Sequence, residues 1–208
     1  RLAFEEILTL QLEVQKNKQF IQKLKAPKIK FNLDDTKELV NSLKFKLTDD
    51  QRKVSWQILQ DLEKSEPMNR MLMGDVGSGK TVVAALAALQ AIKAGKQVVV
   101  LAPTEVLARQ HHKSFAELLS SLGTEVKVLV GSLKLKDKRE ILEQIEEGRA
   151  ELIVGTHALL QEKVKFKNLS LVIVDEQHRF GVNQRKELQK RVKEGHFPHL
   201  LTMTATPI

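Results

Sequence analysis

The chain contains no cysteine and no tyrosine, and only 4% of its 208 residues are aromatic. Without cysteine there are no disulfides and no thiolate metal sites, which fits a reducing cytoplasm. The scarcity of aromatic rings disfavours a base-stacking platform as the main device for holding single strands. No run of about 18 apolar residues occurs, so no segment reads as a membrane-spanning helix. The N-terminus shows no signal-peptide pattern. Internal repeats and low-complexity tracts are missing as well. The six histidines show no convincing zinc spacing. His111 and His112 are adjacent, and neighbours on a helix point in different directions.

What is present is a basic, core-forming chain. Lys plus Arg number 34 against 26 Asp plus Glu, a net charge of +8, and 42% of residues are hydrophobic. The charge favours a polyanionic partner such as nucleic acid, although solvated lysines give the same balance. Leu2, Ile7, Leu10, Val14, Ile21 and Leu24 recur at helical spacing and predict one helix over residues 2–24. "KAPKIKFNLDD" breaks that pattern. Asp34 or Asp35 then suits the cap of a short helix through Leu43. "TDDQ" predicts a capping box, with Thr48 as N-cap and Gln51 reaching back. After Pro67 short apolar runs alternate with helical stretches: "RMLM", "QVVVLA", "EVKVLV", "ELIVG", "LSLVIVD" and "HLLTMTA". The predicted helices between them cover Lys80 to about Ala94, Glu105 to Leu122, residues 135–148 and "NQRKELQKRVKE". This alternation implies an α/β fold with a parallel sheet and helices on both faces. Active sites in such sheets lie at the carboxyl ends of the strands.

"GDVGSGKT", residues 74–81, fits G-x-x-x-x-G-K-[ST] between a strand and a helix, the setting that a phosphate loop requires. Gly74, Gly77 and Gly79 let backbone N–H groups curl around phosphate oxygens, with Asp75, Val76 and Ser78 between them. Lys80 is placed to reach the β- and γ-phosphates, and Thr81 to put its hydroxyl on Mg²⁺. In "LVIVDEQH" a buried strand delivers Asp175 and Glu176 at its carboxyl end. Asp175 suits Mg²⁺ held through water, and Glu176 suits the orientation or deprotonation of an attacking water. Thr204 and Thr206 in "TMTATPI" are placed to sense a γ-phosphate, or else form a plain strand exit into a turn at Pro207. The lysines of "KVKFKN" read as a solvated face, with DNA contact the lesser alternative.

Taken in order, "GDVGSGKT", "APTEVLARQH", "IVGTHALLQ", "DEQHRFGV" and "TMTATPI" resemble the first motor domain of a superfamily 2 helicase. "DEQHRFGVNQR", with the first two motifs, is similar to the bacterial members that remodel branched DNA. The resemblance spans essentially the whole chain. It implies a RecA-like P-loop domain over residues 47–208, using ATP and Mg²⁺. Residues 1–46 would form the helical linker that follows a wedge domain. It further implies branched or forked duplex DNA as partner, together with a second motor domain and the wedge of the same protein, in the bacterial cytoplasm and away from membranes. By the same resemblance Gln51 reads the adenine, with Phe45 packing nearby. The capping box is the other use for Gln51, and the two are compatible because the cap takes one end of the amide. Thr104, Arg109 and Thr156 correspond to DNA-contacting positions. Helix capping by Thr104 and a solvated Arg109 are the plain alternatives, and His157 is more simply structural. His178 would couple the nucleotide site to DNA through Thr204 and Thr206.

The chain stops directly after "TATPI". On the resemblance, a second motor domain supplies an arginine finger worth about 10³–10⁵ in rate. A chain ending here is therefore expected to bind ATP or ADP weakly, and neither to unwind DNA nor to turn over ATP at a useful rate. Two alternatives remain at this level. One is a duplex translocase of the transcription-repair coupling type, the other a nucleotide-dependent binding module without motor activity. An RNA helicase is disfavoured by "DEQH" in place of "DEAD".

Overall fold

Apolar runs with no polar alternation are stable as strands only where both faces of a sheet are covered. In the computed structural model, residues 24–156, 164–175 and 196–205 are described, together with positions 8, 11, 12, 15 and 159. Among the described residues six strands form one sheet: β1 (Asn69–Met73), β2 (Gln97–Leu101), β3 (Val126–Leu129), β4 (Leu152–Gly155), β5 (Leu169–Asp175) and β6 (His199–Thr204). Every pairing is parallel, in the order β1-β6-β5-β2-β4-β3. The central strands β2 and β4 are buried at every residue, and β5 at all but Asp175. The edge strands β1 and β3 are only partly covered.

Among the described residues five α-helices dress the sheet: α1 (Leu33–Ser42), α2 (Asp49–Leu62), α3 (Lys80–Lys93), α4 (Glu105–Leu119) and α5 (Leu135–Glu147). Val98, Val100, Leu171, Ile173 and Leu201 pack on one face with residues of α1 to α4. Val99, Ile153 and Val172 pack on the other with Ile145 of α5. Both faces are thus covered, as the uninterrupted apolar runs require. Phe166 and Val164 also join the second face, while Lys165 and Lys167 between and beside them stay exposed. No helix among the described residues is long and apolar enough to cross a membrane.

Helix α3 is buried from Val82 through Ile92. A surface helix keeps a polar face; this one has none because α1 and α2 lie over its outer side. Its one amide in that run, Gln90, is satisfied by the chain above it. Gln90 Oε1 accepts from Asn32 N at 2.6 Å, and Nε2 donates to Asn32 O and Thr36 Oγ1, each at 3.2 Å. A buried amide left without partners would cost about 1–3 kcal/mol, so these bonds fix where α1 sits.

The segment before Thr48 is packed against the same core. Ile29, Leu39 and Leu47 belong to the first core cluster. Ala26 N donates to Ser65 O at 2.8 Å and Ile29 N to Leu62 O at 2.9 Å. His199 at the start of β6 completes the attachment. Its Nδ1 accepts from Met68 N at 3.0 Å, which leaves Nε2 as the protonated nitrogen that donates to Pro27 O at 2.8 Å.

Two helix ends differ from the expectation. The cap of α1 is Asn32, whose side chain accepts from Asp34 N; Asp34 and Asp35 lie in the first turn instead. There their charges still favour the helix N-terminus. Helix α4 stops at Leu119, and Ser120–Leu122 tighten into a 3-10 turn that ends at Gly123 with φ 70°. The capping box at Thr48 and Gln51 is present as expected. Leu8, Gln11, Leu12 and Gln15 are helical. The rest of the helix expected over residues 2–24, and the one expected over "NQRKELQKRVKE", lie outside the described residues.

Candidate active site at the carboxyl ends of the strands

Because all six strands run the same way, every loop that leaves a strand's carboxyl end emerges on one side of the sheet. The phosphate loop leaves β1 there. Gly77 and Gly79 both have φ 82°, a left-handed conformation that costs a side chain about 1–2 kcal/mol. Gly79 is the N-cap of α3, so the free N–H groups of the first turn open directly onto the loop. Asp75, Val76, Gly77 and Ser78 are exposed, Val76 to 92%. Ser78 Oγ folds over Gly74, where an added Cβ would stand 2.6 Å from it.

Two side chains brace this loop. Lys80 Nζ donates to Gly74 O at 2.6 Å and to Asp75 O at 2.9 Å. Gln51 is bound at both ends. Its Oε1 accepts from Thr48 N at 2.9 Å, which is the capping box, and its Nε2 donates to Ser78 O at 2.8 Å. A Cβ on Gly79 would stand 2.3 Å from that Nε2. The second end of the Gln51 amide thus goes to the phosphate loop in this arrangement. Beside the loop lies a cleft of about 580 Å³, lined by Leu43, Phe45, Gly79, Thr81, Val82 and Leu118 among others. Phe45, half exposed, and Thr81 therefore border the same space.

The strand-end carboxylate arrives two strands away. In the sheet, Met73 pairs with Thr204 and Asp175 with Met203. Gly74 N donates to Thr204 O at 3.3 Å, tying the root of the phosphate loop to the end of β6. Thr204 Oγ1 turns back to Ala205 O at 3.2 Å. Asp175 Oδ2 receives His111 Nε2 of α4 at 2.6 Å. That contact was not legible in the sequence, where His111 read only as one of two adjacent histidines without metal spacing. Its neighbour His112 faces elsewhere, with Nε2 3.0 Å from Val126 O. A hydroxyl on α3 and a carboxylate at the end of β5 form the kind of oxygen donor set that Mg²⁺ takes, with most of its shell left to water and phosphate. Among the described residues no cluster of three or more metal-ligating side chains occurs.

Further along the same rim, Leu101 of β2 pairs with Gly155 of β4. Thr104 and Thr156 follow those two residues, so neighbouring strand ends bring them to one side. Thr104 caps α4, its hydroxyl accepting from Leu107 N at 3.3 Å. Arg109 Nη2 donates to Ser132 Oγ at 3.0 Å. Glu105 accepts from Ser132 N at 3.1 Å and from Ser132 Oγ at 2.6 Å. The Ser132 hydroxyl is the main cause that holds the Glu105 carboxyl below its ordinary value. The sequence reading missed Glu105 and Ser132; nothing in their spacing marks them. Glu176, His178, Thr206 and His157 lie outside the described residues.

Residues 48–208 match the DEAD/DEAH box helicase family. The chain is 49% identical over its whole length to the ATP-dependent DNA helicase RecG of Aquifex aeolicus (strain VF5), of which it covers 26%. It is 47% identical to the RecG of Escherichia coli (strain K12), of which it covers 30%. Among solved structures, RecG bound to a three-way DNA junction aligns with all of this chain and 27% of its own, at TM-score 0.89 and 41% identity. The helicase MrfA bound to DNA and AMPPNP, at TM-score 0.66 and 19% identity, shares the fold over 88% of this chain and 28% of its own. The chain thus spans less than a third of the curated relatives named here. The parallel sheet with helices on both faces is the RecA-like motor fold that the motif order implied. With the match running from the Thr48 cap through the phosphate loop to the end of β6, this chain belongs to the DEAD/DEAH box helicase family.

Proposed function

We propose that this chain is the first ATP-binding motor domain, with its preceding linker segment, of a bacterial cytoplasmic DNA helicase that remodels branched duplexes by fork reversal and branch migration. The observation that carries the reading is the convergence at one end of the sheet. The phosphate loop after β1 is bonded through Gly74 to the end of β6, and Asp175 ends the strand next to β6. The RecG relatives and the junction-bound RecG structure support the choice of branched DNA. A second motor domain and a wedge would belong to the remainder of the protein, as the share of the relatives covered here suggests.

The chemistry is in-line attack of water on the γ-phosphorus of ATP. Loop N–H groups and the N-terminus of α3 hold the phosphates. Lys80 turns from the carbonyls of Gly74 and Asp75 to the β- and γ-oxygens. Glu176 orients the attacking water and takes its proton. Thr81 and, through water, Asp175 would hold Mg²⁺, which would supply charge stabilisation to the transferring group. Phe45 and the cleft beside Thr81 receive the adenine, with Gln51 bracing the loop next to it. Thr104, Arg109 and Thr156 face the DNA backbone, and His178, Thr204 and Thr206 report the loss of the γ-phosphate to them.

Titration calorimetry with ATP and Mg²⁺ on the wild-type chain and on Lys80→Ala tests this. Binding that disappears in the variant is the expected result. No binding in the wild type, alone and again with the rest of the protein restored, would overturn it.

A further inference from the structure

His111 belongs to none of the roles above, yet its Nε2 lies 2.6 Å from Asp175 Oδ2. Both side chains are largely buried, 13% and 17% exposed. A carboxylate can only accept, so Nε2 carries the proton of this bond. The ring is also held from below. It packs at a tilt against Phe115, one turn further along α4, with centroids 6.5 Å apart, and Phe115 is fully buried. The imidazole therefore has one orientation, fixed by the helix that carries it. That helix starts two turns earlier at the Thr104 cap.

We propose that His111 is a positioning residue for the Mg²⁺-binding carboxylate: by holding Asp175 Oδ2 from α4, it presents Oδ1 to the metal's water shell and ties that orientation to the helix whose N-terminus contacts DNA. The proposal rests on the readings of Asp175 as the metal carboxylate and of Thr104, at the N-terminus of α4, as a DNA contact. The physical basis is general. A carboxylate that binds a metal through water has two equivalent oxygens and a free torsion, and a hydrogen-bonded partner selects one arrangement; removing such partners typically costs about 10–100-fold in metal affinity. Two sites are coupled when one rigid element has to move for both. A shift of α4 on DNA binding carries the imidazole with it, and by reciprocity the metal state then alters DNA affinity by the same factor.

The test uses the full-length protein and a non-hydrolysable ATP analogue, with affinity measured by calorimetry in Mg²⁺ and in EDTA. The ratio of the two affinities is the metal increment. His111→Ala is expected to cut the increment about tenfold and leave the EDTA affinity unchanged. His111→Gln, whose terminal N–H reaches to the place of Nε2, is expected to restore it to within about threefold of wild type. His111→Asn, too short to reach, is expected to behave like alanine and serves in its place should His111→Ala fail to fold. Adding a forked duplex should change the increment in the wild type and in His111→Gln, but not in His111→Ala. An undiminished increment in His111→Ala or His111→Asn overturns the positioning role. So does an equal loss in His111→Gln at an unchanged melting temperature. A DNA effect that survives in His111→Ala overturns the link through α4. A wild type with no metal increment removes the reading of Asp175 itself, and the proposal with it.

Discussion

The carboxyl rim of this sheet has two halves built on different principles. The half proposed for nucleotide, at β1, β6 and β5, presents mainly backbone: two left-handed glycines, a helix N-terminus and an exposed loop. The half proposed for nucleic acid, at β2 and β4, is made of side chains that also have plain structural partners. Thr104 caps a helix, and Glu105, Ser132 and Arg109 bond to one another. A backbone site cannot be varied without changing glycine for something else, so it leaves a sharp pattern. A side-chain site can be assembled from many residue types, so each of its members also has a plain structural use.

The sharpest way to break this contrast is at the glycines. Gly77 and Gly79 share φ 82°, but a Cβ on Gly77 meets nothing within 4 Å, whereas one on Gly79 meets the pinned amide of Gln51 at 2.3 Å. Gly77→Ala is expected to cost about 1–2 kcal/mol of strain and to weaken nucleotide binding modestly. Gly79→Ala should cost more and reduce nucleotide affinity by more than tenfold. Paired thermal melts and calorimetry read both; equal effects at the two positions would mean that the brace from Gln51 does not matter.

In the other half the effects are smaller and of a different kind. Thr104→Ala removes the cap on Leu107 N and is expected to cost about 1 kcal/mol of stability with nucleotide affinity unchanged. Arg109→Gln should leave stability nearly unaltered. If Arg109 meets a DNA phosphate, the slope of log affinity against log salt for a forked duplex should fall by about 1. An unchanged slope would leave Arg109 as the partner of Ser132 alone.

The last effect, spread over pH rather than read from one variant, concerns neither half but the joint between the N-terminal segment and β6. Burial lowers the pKa of His199 from its ordinary 6.5, against weaker pulls from Pro27 O and the charge of Asp61. The folded state then binds fewer protons than the unfolded one, so stability is fully present above about pH 6.5 and declines as pH falls through that value toward the folded pKa. The slope is at most about 1.4 kcal/mol per pH unit for this group. Asp61 contributes in a lower window. Burial works against its charge, yet hydrogen bonds from Arg70 and Lys64 hold its carboxyl below its ordinary 3.8. Urea unfolding at pH 7, 6 and 5 should show the decline in the wild type and a shallower one in His199→Gln. Parallel curves would assign the pH dependence to other groups.

Much of the architecture could be read from the chain alone. Uninterrupted apolar runs between amphipathic helices dictate a parallel sheet covered on both faces, because nothing else buries them. The capping box at Thr48 is a local contact and was legible for that reason. The strand-loop-helix setting of "GDVGSGKT" and the place of Asp175 at a strand end were legible because both follow from short local patterns. Contacts across the fold were not. Asn32 rather than Asp34 or Asp35 caps α1 where Gln90, 58 residues away, grips the Asn32 backbone. Helix α3 is apolar all round only because α1 and α2 cover it. His111 meets Asp175 across 64 residues, and His199 reaches Pro27 across 172. Sequence by itself determined the strands and helices seen among the described residues and where the backbone turns left-handed at glycine, since those follow from periodicity and from steric limits on φ. The tertiary structure alone decided which side chains serve them, because hydrogen-bond partners are chosen by strand order and helix packing rather than by distance along the chain.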